Sequence, residues 1–126
     1  MVAGIGIDTV DVVAFRKRLD DRLVEELFLP AEIEYCYSQV RHWENFAARF
    51  AAKEAAFKAL GAGLSSGLRF KDVEIVKCSE SGSISINLHG KALSVKNRRK
   101  IDKFFVSISH TNVNAISIVI AEGKSV

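Results

Sequence analysis

Apolar residues recur along the chain in two rhythms, every second position or every third to fourth, and the switches between them predict the elements. Residues 2–8 are apolar and punctuated by glycine, which predicts a buried strand ending at Asp8. From 10 to 29 the pattern is helical but irregular, with Val13, Leu19, Leu23 and Leu27 on its apolar side. Pro30-Ala31-Glu32 ahead of an apolar run suits a first helical turn, and the helix it opens carries Ile33, Tyr37 and Val40. A longer helix is predicted over 43–60, with Gly61-Ala62-Gly63 as its C-cap and exit. Strands follow at 73–77 and 83–88, the second alternating through Ile84, Ile86 and Leu88, with the turn Ser79-Glu80-Ser81-Gly82 between them. Residues 90–103 read as a basic helix, and strands at 105–109 and 115–121 close the chain around the turn HTNVN. No internal repeat is present. The order β-α-α-α-β-β-α-β-β predicts an α+β fold, with a largely antiparallel sheet packed with helices.

Composition bounds this picture without changing it. A chain of 126 residues, 48% apolar and 26% charged, is expected to form a single domain over 1–126. One proline and eight glycines leave no room for a long linker, so folding is expected throughout, apart from a few residues at the C-terminus. Cys36 and Cys78 are far apart and have no CxxC spacing, which reads as reduced thiols. MVAGIGIDTV has neither the basic start nor the apolar stretch of a signal peptide, and no window is apolar for long enough to span a bilayer. A cytoplasmic protein with no membrane association is expected.

The net charge of +3 is too small to imply nucleic acid. Its distribution says more. Arg16, Lys17, Arg18 and Arg22 cluster near the start, and Lys96, Arg98, Arg99, Lys100 and Lys103 near the end. Such clusters suit a phosphate-rich ligand or an acidic partner, or are simply solvated helix faces.

Candidate chemistry begins in RFAAKEAAFKALG, residues 49–61. At about 100° per helical residue, Glu54 lies about 40° from Phe50 on one side, with Phe57 about 20° from Phe50 on the other. Phe46 extends the same stripe. A carboxylate at the edge of that stripe is partly desolvated and needs a partner. Three are open: Lys58 four residues on, a base from another element, or a bound cation. Asp8, closing the first strand, is either a ligand group or a cap for the following helix. Two carboxylates on separate elements suit Mg²⁺, which takes one or two carboxylates together with substrate phosphates. In VSISHT, His110 stands where a strand meets a polar turn, a position consistent with plain polar surface or a site. His42 and His89 lack supporting neighbours. No His/Cys set for zinc, no GxGxxG and no Walker A motif occurs. Taken alone, the residues lead to an α+β domain with a candidate acid–acid–basic phosphate site.

Three segments together go further. GIGIDTVDV at 4–12, FAARFAAKEAAFKALGAG at 46–63 and VSISHT at 106–111 resemble, in order and spacing, the holo-acyl-carrier-protein synthases, the small bacterial type of 4′-phosphopantetheinyl transferase. The resemblance spans nearly the whole chain. It implies transfer of the phosphopantetheine arm of coenzyme A to a serine of apo acyl carrier protein in lipid metabolism such as fatty-acid biosynthesis, with release of adenosine 3′,5′-bisphosphate. By the same resemblance Asp8 and Glu54 are the Mg²⁺ ligands, and Lys58 stands near the phosphates as the third catalytic residue. Arg49, Gly61, His110 and Thr111 match positions lining the coenzyme site. Arg16, Arg18 and Arg22 match a basic helix that docks the acidic carrier protein, and the assembly implied is a homotrimer with sites between subunits. Two positions depart from the family pattern: Ala14, where arginine is frequent, and Ile84, where proline is common.

Two other classes are set against this one. A binding module using KNRRK at 96–100 for RNA predicts steeply salt-dependent binding without metal, and no RNP-like aromatic motif accompanies it. A structural oligomerisation domain predicts that Asp8 and Glu54 can both be neutralised without loss of any ligand.

Overall fold

A computed structural model describes residues 1–124; the expected unfolded C-terminal residues fall mainly on Ser125 and Val126, outside the described residues. The chain runs β1 (Val2–Asp11), α1 (Val12–Arg18), α2 (Asp21–Leu27), α3 (Pro30–Tyr37), α4 (His42–Leu60), β2 (Val73–Lys77), β3 (Ile84–Leu88), α5 (Gly90–Arg98), β4 (Ile101–His110) and β5 (Asn114–Gly123). Every strand pairing is antiparallel, as expected, but the strands divide into a three-stranded sheet, β1-β5-β4, and a separate hairpin, β2-β3.

The centre of the fold is α4 lying on β1. Gly4 and Gly6 explain how close that approach is. A Cβ at Gly4 would stand 2.0 Å from the Ala59 carbonyl oxygen, and one at Gly6 would stand 1.8 Å from that of Ala55. The GIG run therefore serves backbone contact, with glycines on the strand meeting alanines on the helix. Around this seam Ala52, Ala55, Ala56, Leu60, Val73 and Val119 form one apolar core. A second core gathers Val12, Phe15, Val24, Phe28, Phe46 and Ala115. Phe28 and Phe46 are both wholly buried with ring centroids 4.9 Å apart, and each such side chain contributes roughly 1.5–3 kcal/mol of transfer free energy.

Several boundaries differ from expectation. The first strand runs on to Asp11, and Asp11, rather than Asp8, caps the helix, its Oδ1 accepting from Ala14 N at 3.0 Å. The helix expected over 10–29 breaks at Leu19-Asp20, where Asp20 caps α2 by accepting from Leu23 N at 2.8 Å. These caps reset the helical phase, so Val12 and Phe15 are buried while Val13 is exposed. In α3 the buried residues are Glu32 and Cys36, whereas Tyr37 is exposed and Val40 lies past the helix end, also exposed. The reason is Lys53 of α4, wholly buried, whose Nζ donates to Glu32 Oε1 at 2.9 Å, to Phe70 O at 3.0 Å and to Val73 O. Glu32 in turn accepts from Leu29 N and Ile75 N. Lys53 of the AAKEA run thus clamps α3, α4 and β2, and burial draws its ammonium below its usual range.

The basic helix ends at Arg98, not at 103, because Lys100 takes a positive φ of 57° and β4 begins at Ile101. Arg99 donates to Ala59 O, Leu60 O and Ala3 O, closing the carbonyl end of α4 with a cation. Gly61, with φ of 71°, is the left-handed C-cap of α4 as read from the sequence. Cys36 and Cys78 are free thiols, and burial pushes that of Cys36 up to about 12. Among the described residues no helix is long and apolar enough to cross a membrane.

Candidate active site

Gly4, Gly6 and Asp8 share one face of β1, the face turned to α4. Gly4 meets Ala59 and Gly6 meets Ala55, so strand and helix run in opposite directions and Asp8 arrives beside the turn that carries Glu54. The seam that excludes any side chain at Gly4 and Gly6 thereby ends in two carboxylates. Lys58, one turn after Glu54, reaches across it. Its Nζ donates to Asp8 Oδ1 at 3.1 Å and to Ile7 O at 2.9 Å.

That pairing corrects the simplest expectation for Glu54, a salt bridge to Lys58 on the same helix. Lys58 is spent on Asp8, and among the described residues Glu54 makes no hydrogen bond or ion pair. The half-buried Glu54 carboxyl therefore holds its proton more tightly than usual, first because of burial and then because of the negative charge on Asp8, with Lys58 acting in the opposite sense. Two close carboxylates sharing one cation leave a net negative centre, which is the donor set that a hard divalent cation takes when substrate phosphates complete its shell. Among the described residues no cluster of three or more His, Cys, Asp or Glu side chains is arranged to hold a metal without such help.

Glu54 stands where two cavities meet. One, of about 450 Å³, is bordered by Phe57, Lys58 and the Gly61–Ser66 loop. The other, of about 310 Å³, is bordered by Asp8, Ala14, Phe15, Arg18 and Phe50. The alanine at position 14 leaves the second cavity open toward α1, and Arg18 is the basic side chain on its wall. The loop residues Leu64 to Ser66 and the aromatic Phe15 were not singled out from sequence, and Phe50 was read only as part of the apolar stripe beside Glu54; the Gly61-Ala62-Gly63 exit was the available signal for the loop.

The remaining expected site residues lie elsewhere in the protomer. Arg49 is 4% exposed, its guanidinium stacked on the Tyr35 ring at 4.3 Å beside a small cavity that Glu74 and Lys77 also border. Its Nε is buried without a hydrogen-bond partner. His110 Nδ1 meets Glu44 Oε1 at 3.0 Å. Thr111 Oγ1 accepts from Val113 N and Asn114 N, both at 3.1 Å, and so shapes the β4–β5 turn. Neither Arg49, His110 nor Thr111 borders the two Glu54 cavities in one protomer. Arg16, Arg18 and Arg22 are exposed, but the Arg16 guanidinium lies 3.6 Å above the Trp43 ring and is partly committed there.

A family profile described as the 4′-phosphopantetheinyl transferase superfamily matches residues 4–120. The chain belongs to this superfamily. It is 42% identical to a protein of Geobacter sulfurreducens named holo-[acyl-carrier-protein] synthase, over 97% of this chain and 98% of that one. Among solved structures it resembles holo-ACP-synthase from Plasmodium yoelii with a TM-score of 0.85 and 28% identity, covering 99% of this chain and 98% of that one. It also resembles the Helicobacter pylori holo-[acyl-carrier-protein] synthase in complex with coenzyme A, with a TM-score of 0.80 and 31% identity, covering 94% and 99%.

Proposed function

We propose that residues 1–126 act as one phosphopantetheinyl transferase domain, a holo-[acyl-carrier-protein] synthase. The serine hydroxyl of an apo acyl carrier protein attacks the pantetheine-bearing phosphorus of coenzyme A. The bond from that phosphorus to the adenosine-side phosphate breaks, and adenosine 3′,5′-bisphosphate leaves. The observation that carries the reading is Glu54, a half-buried, unpaired carboxylate beside Asp8 where the two cavities meet.

Coenzyme A is assigned to the Gly61–Ser66 side and the carrier serine to the Ala14–Arg18 side. Asp8 and Glu54 would hold Mg²⁺, which when bound neutralises charge building on the phosphates and aligns them for displacement. Lys58 is half-exposed and bonded to Ile7 O and Asp8 of β1, so its ammonium can turn from Asp8 to the leaving phosphate. Glu54, the one carboxylate bordering both cavities, is placed to accept the serine proton. Arg18, Arg16 and Arg22 supply charge for an acidic carrier protein, with Arg18 nearest the reacting groups. Arg99, committed to α4, is one cation fewer for a polyanion at 96–100.

The same reading includes a homotrimer. Ile5 is 60% exposed, Ile7 53% and Phe105 48%, all on the face of the three-stranded sheet turned away from α4. Ile7 adjoins Asp8, so a copy covering that face would set a subunit boundary beside the carboxylates. It would also bring a second chain's Arg49, His110 and Thr111 within consideration as coenzyme contacts. A cytoplasmic location fits the two free thiols.

Intact-mass spectrometry of apo acyl carrier protein incubated with this protein, coenzyme A and Mg²⁺ tests the reading. A gain of one phosphopantetheine, abolished by EDTA, is expected. No gain across several carrier proteins would overturn it.

A further inference from the structure

Glu44 opens α4 and is 4% exposed. An acid in a first helical turn gains from the helix dipole even when it faces water, so the dipole alone gives no reason for burial. Burying a carboxylate costs several kcal/mol unless it is partnered. Here Oε1 meets His110 Nδ1 at 3.0 Å, while Oε2 is buried without a hydrogen-bond partner. The nearest cation is the largely exposed Arg41 guanidinium, 3.7 Å from Oε2. The contact that burial secures is the one to the imidazole.

The His110 side of the contact is equally constrained. His110 is the last residue of β4, and the Thr111 hydroxyl immediately after it locks the turn through Val113 N and Asn114 N. A carboxylate accepts only, so a bond to Nδ1 requires the proton on Nδ1. The ring can then no longer exchange its two nitrogens by turning over about its last torsion. Nε2 is left as the one ring nitrogen open to a ligand, on a side chain that is 36% exposed.

Resting on the transferase reading above, we propose that Glu44 is the positioning residue of His110: it holds Nδ1–H, so that the ring, protonated on both nitrogens in the complex, donates Nε2–H to a phosphate of coenzyme A. Glu44 does not touch the coenzyme. It acts through the ring, from the start of α4, while Glu54 works ten residues later on the same helix.

The test compares wild type, Glu44→Ala and Glu44→Gln by two-bond ¹H–¹⁵N spectra of the histidine rings, with His110→Gln assigning the signal. Coenzyme A affinity by calorimetry, and KM and kcat for transfer, are read alongside. Wild type is expected to prefer the proton on Nδ1 when the ring is neutral, and to carry protons on both nitrogens with coenzyme A bound. Glu44→Ala is expected to lose that preference and to bind coenzyme A about tenfold more weakly, as for one lost charge-assisted hydrogen bond, with the change in KM rather than kcat. Glu44→Gln, whose amide oxygen still accepts from Nδ1–H, should recover most of the affinity, and it keeps the test alive if Glu44→Ala fails to fold. The proposal is overturned if the neutral ring of wild-type His110 carries its proton on Nε2 alone, or if Nε2 bears no proton in the coenzyme A complex. It is equally overturned if Glu44→Gln and Glu44→Ala lose affinity alike with the ring form unchanged, or if neither variant alters affinity. Calorimetry needs no carrier protein, so a wild type that binds coenzyme A but transfers nothing sinks the transferase reading while Glu44 is still judged. A wild type that binds none sinks both.

Discussion

Glu54 concentrates the conflict between stability and chemistry in one side chain. Burial and the neighbouring Asp8 raise its proton affinity, so the folded state penalises its charged form. That penalty is absent below the ordinary glutamate value of 4.5, grows as pH rises through it, and is fully present above the raised value. Glu54→Gln is therefore expected to melt at a higher temperature than wild type at neutral pH, with the gain vanishing in acid. The same substitution is expected to lower transfer by at least about a hundredfold and to remove the response to Mg²⁺. Thermal melts across pH and a mass-spectrometric rate assay check both parts; a neutral-pH melt below wild type, or undiminished turnover, would contradict them. That Glu54 needs a partner was legible from its place on the stripe of Phe50 and Phe57. Its partner was not, because Lys58 is equally near Glu54 along the helix, and only the arrival of β1 draws it to Asp8.

Elements meet here through small residues and buried charge rather than large apolar ridges. Gly6→Ala would drive a methyl into the Ala55 carbonyl, a backbone group that cannot step aside. We expect a loss of about 3 kcal/mol or more, with transfer falling as well because Asp8 shifts with the strand. Urea unfolding measures the first; a variant of wild-type stability would mean that α4 does not lie on β1 this closely. Glu32→Gln strands the Lys53 ammonium inside the protein, and a loss of roughly 3–5 kcal/mol is expected. Replacing both, Glu32→Leu with Lys53→Met, should restore part of that loss, which a double-mutant comparison of denaturation midpoints would show. Helix periodicity placed α4 to within a residue and Gly61 at its end, since both signals are local. It misread α3, because an inward Glu32 looks polar in any one-dimensional pattern until Lys53 is known to be opposite. Similarly, the break at Leu19-Asp20 depends on a side-chain cap that competes with continued helix, and the basic run 96–103 hides a turn at Lys100 that a charge pattern does not mark.

At the scale of the whole molecule, the outer face of the β1-β5-β4 sheet is the largest unresolved demand for burial. Ile7 is half-exposed in the protomer, so Ile7→Lys should leave its fold intact while lowering the mass by light scattering from three chains toward one. Transfer should fall with it, although Asp8 and Glu54 are untouched; an unchanged mass would remove the trimer from the proposal. What the sequence determined by itself was the order of elements and the α+β class, with Asp8, Glu54 and Lys58 standing as candidates. Those rest on local periodicity and on short motifs read in place. Tertiary structure alone decided how they are paired. Lys58 and Asp8 are 50 positions apart, and His110 and Glu44 are 66 apart. The first of these contacts exists because two glycines let a strand lie against an alanine-lined helix. No pattern within either segment carries the distance between them.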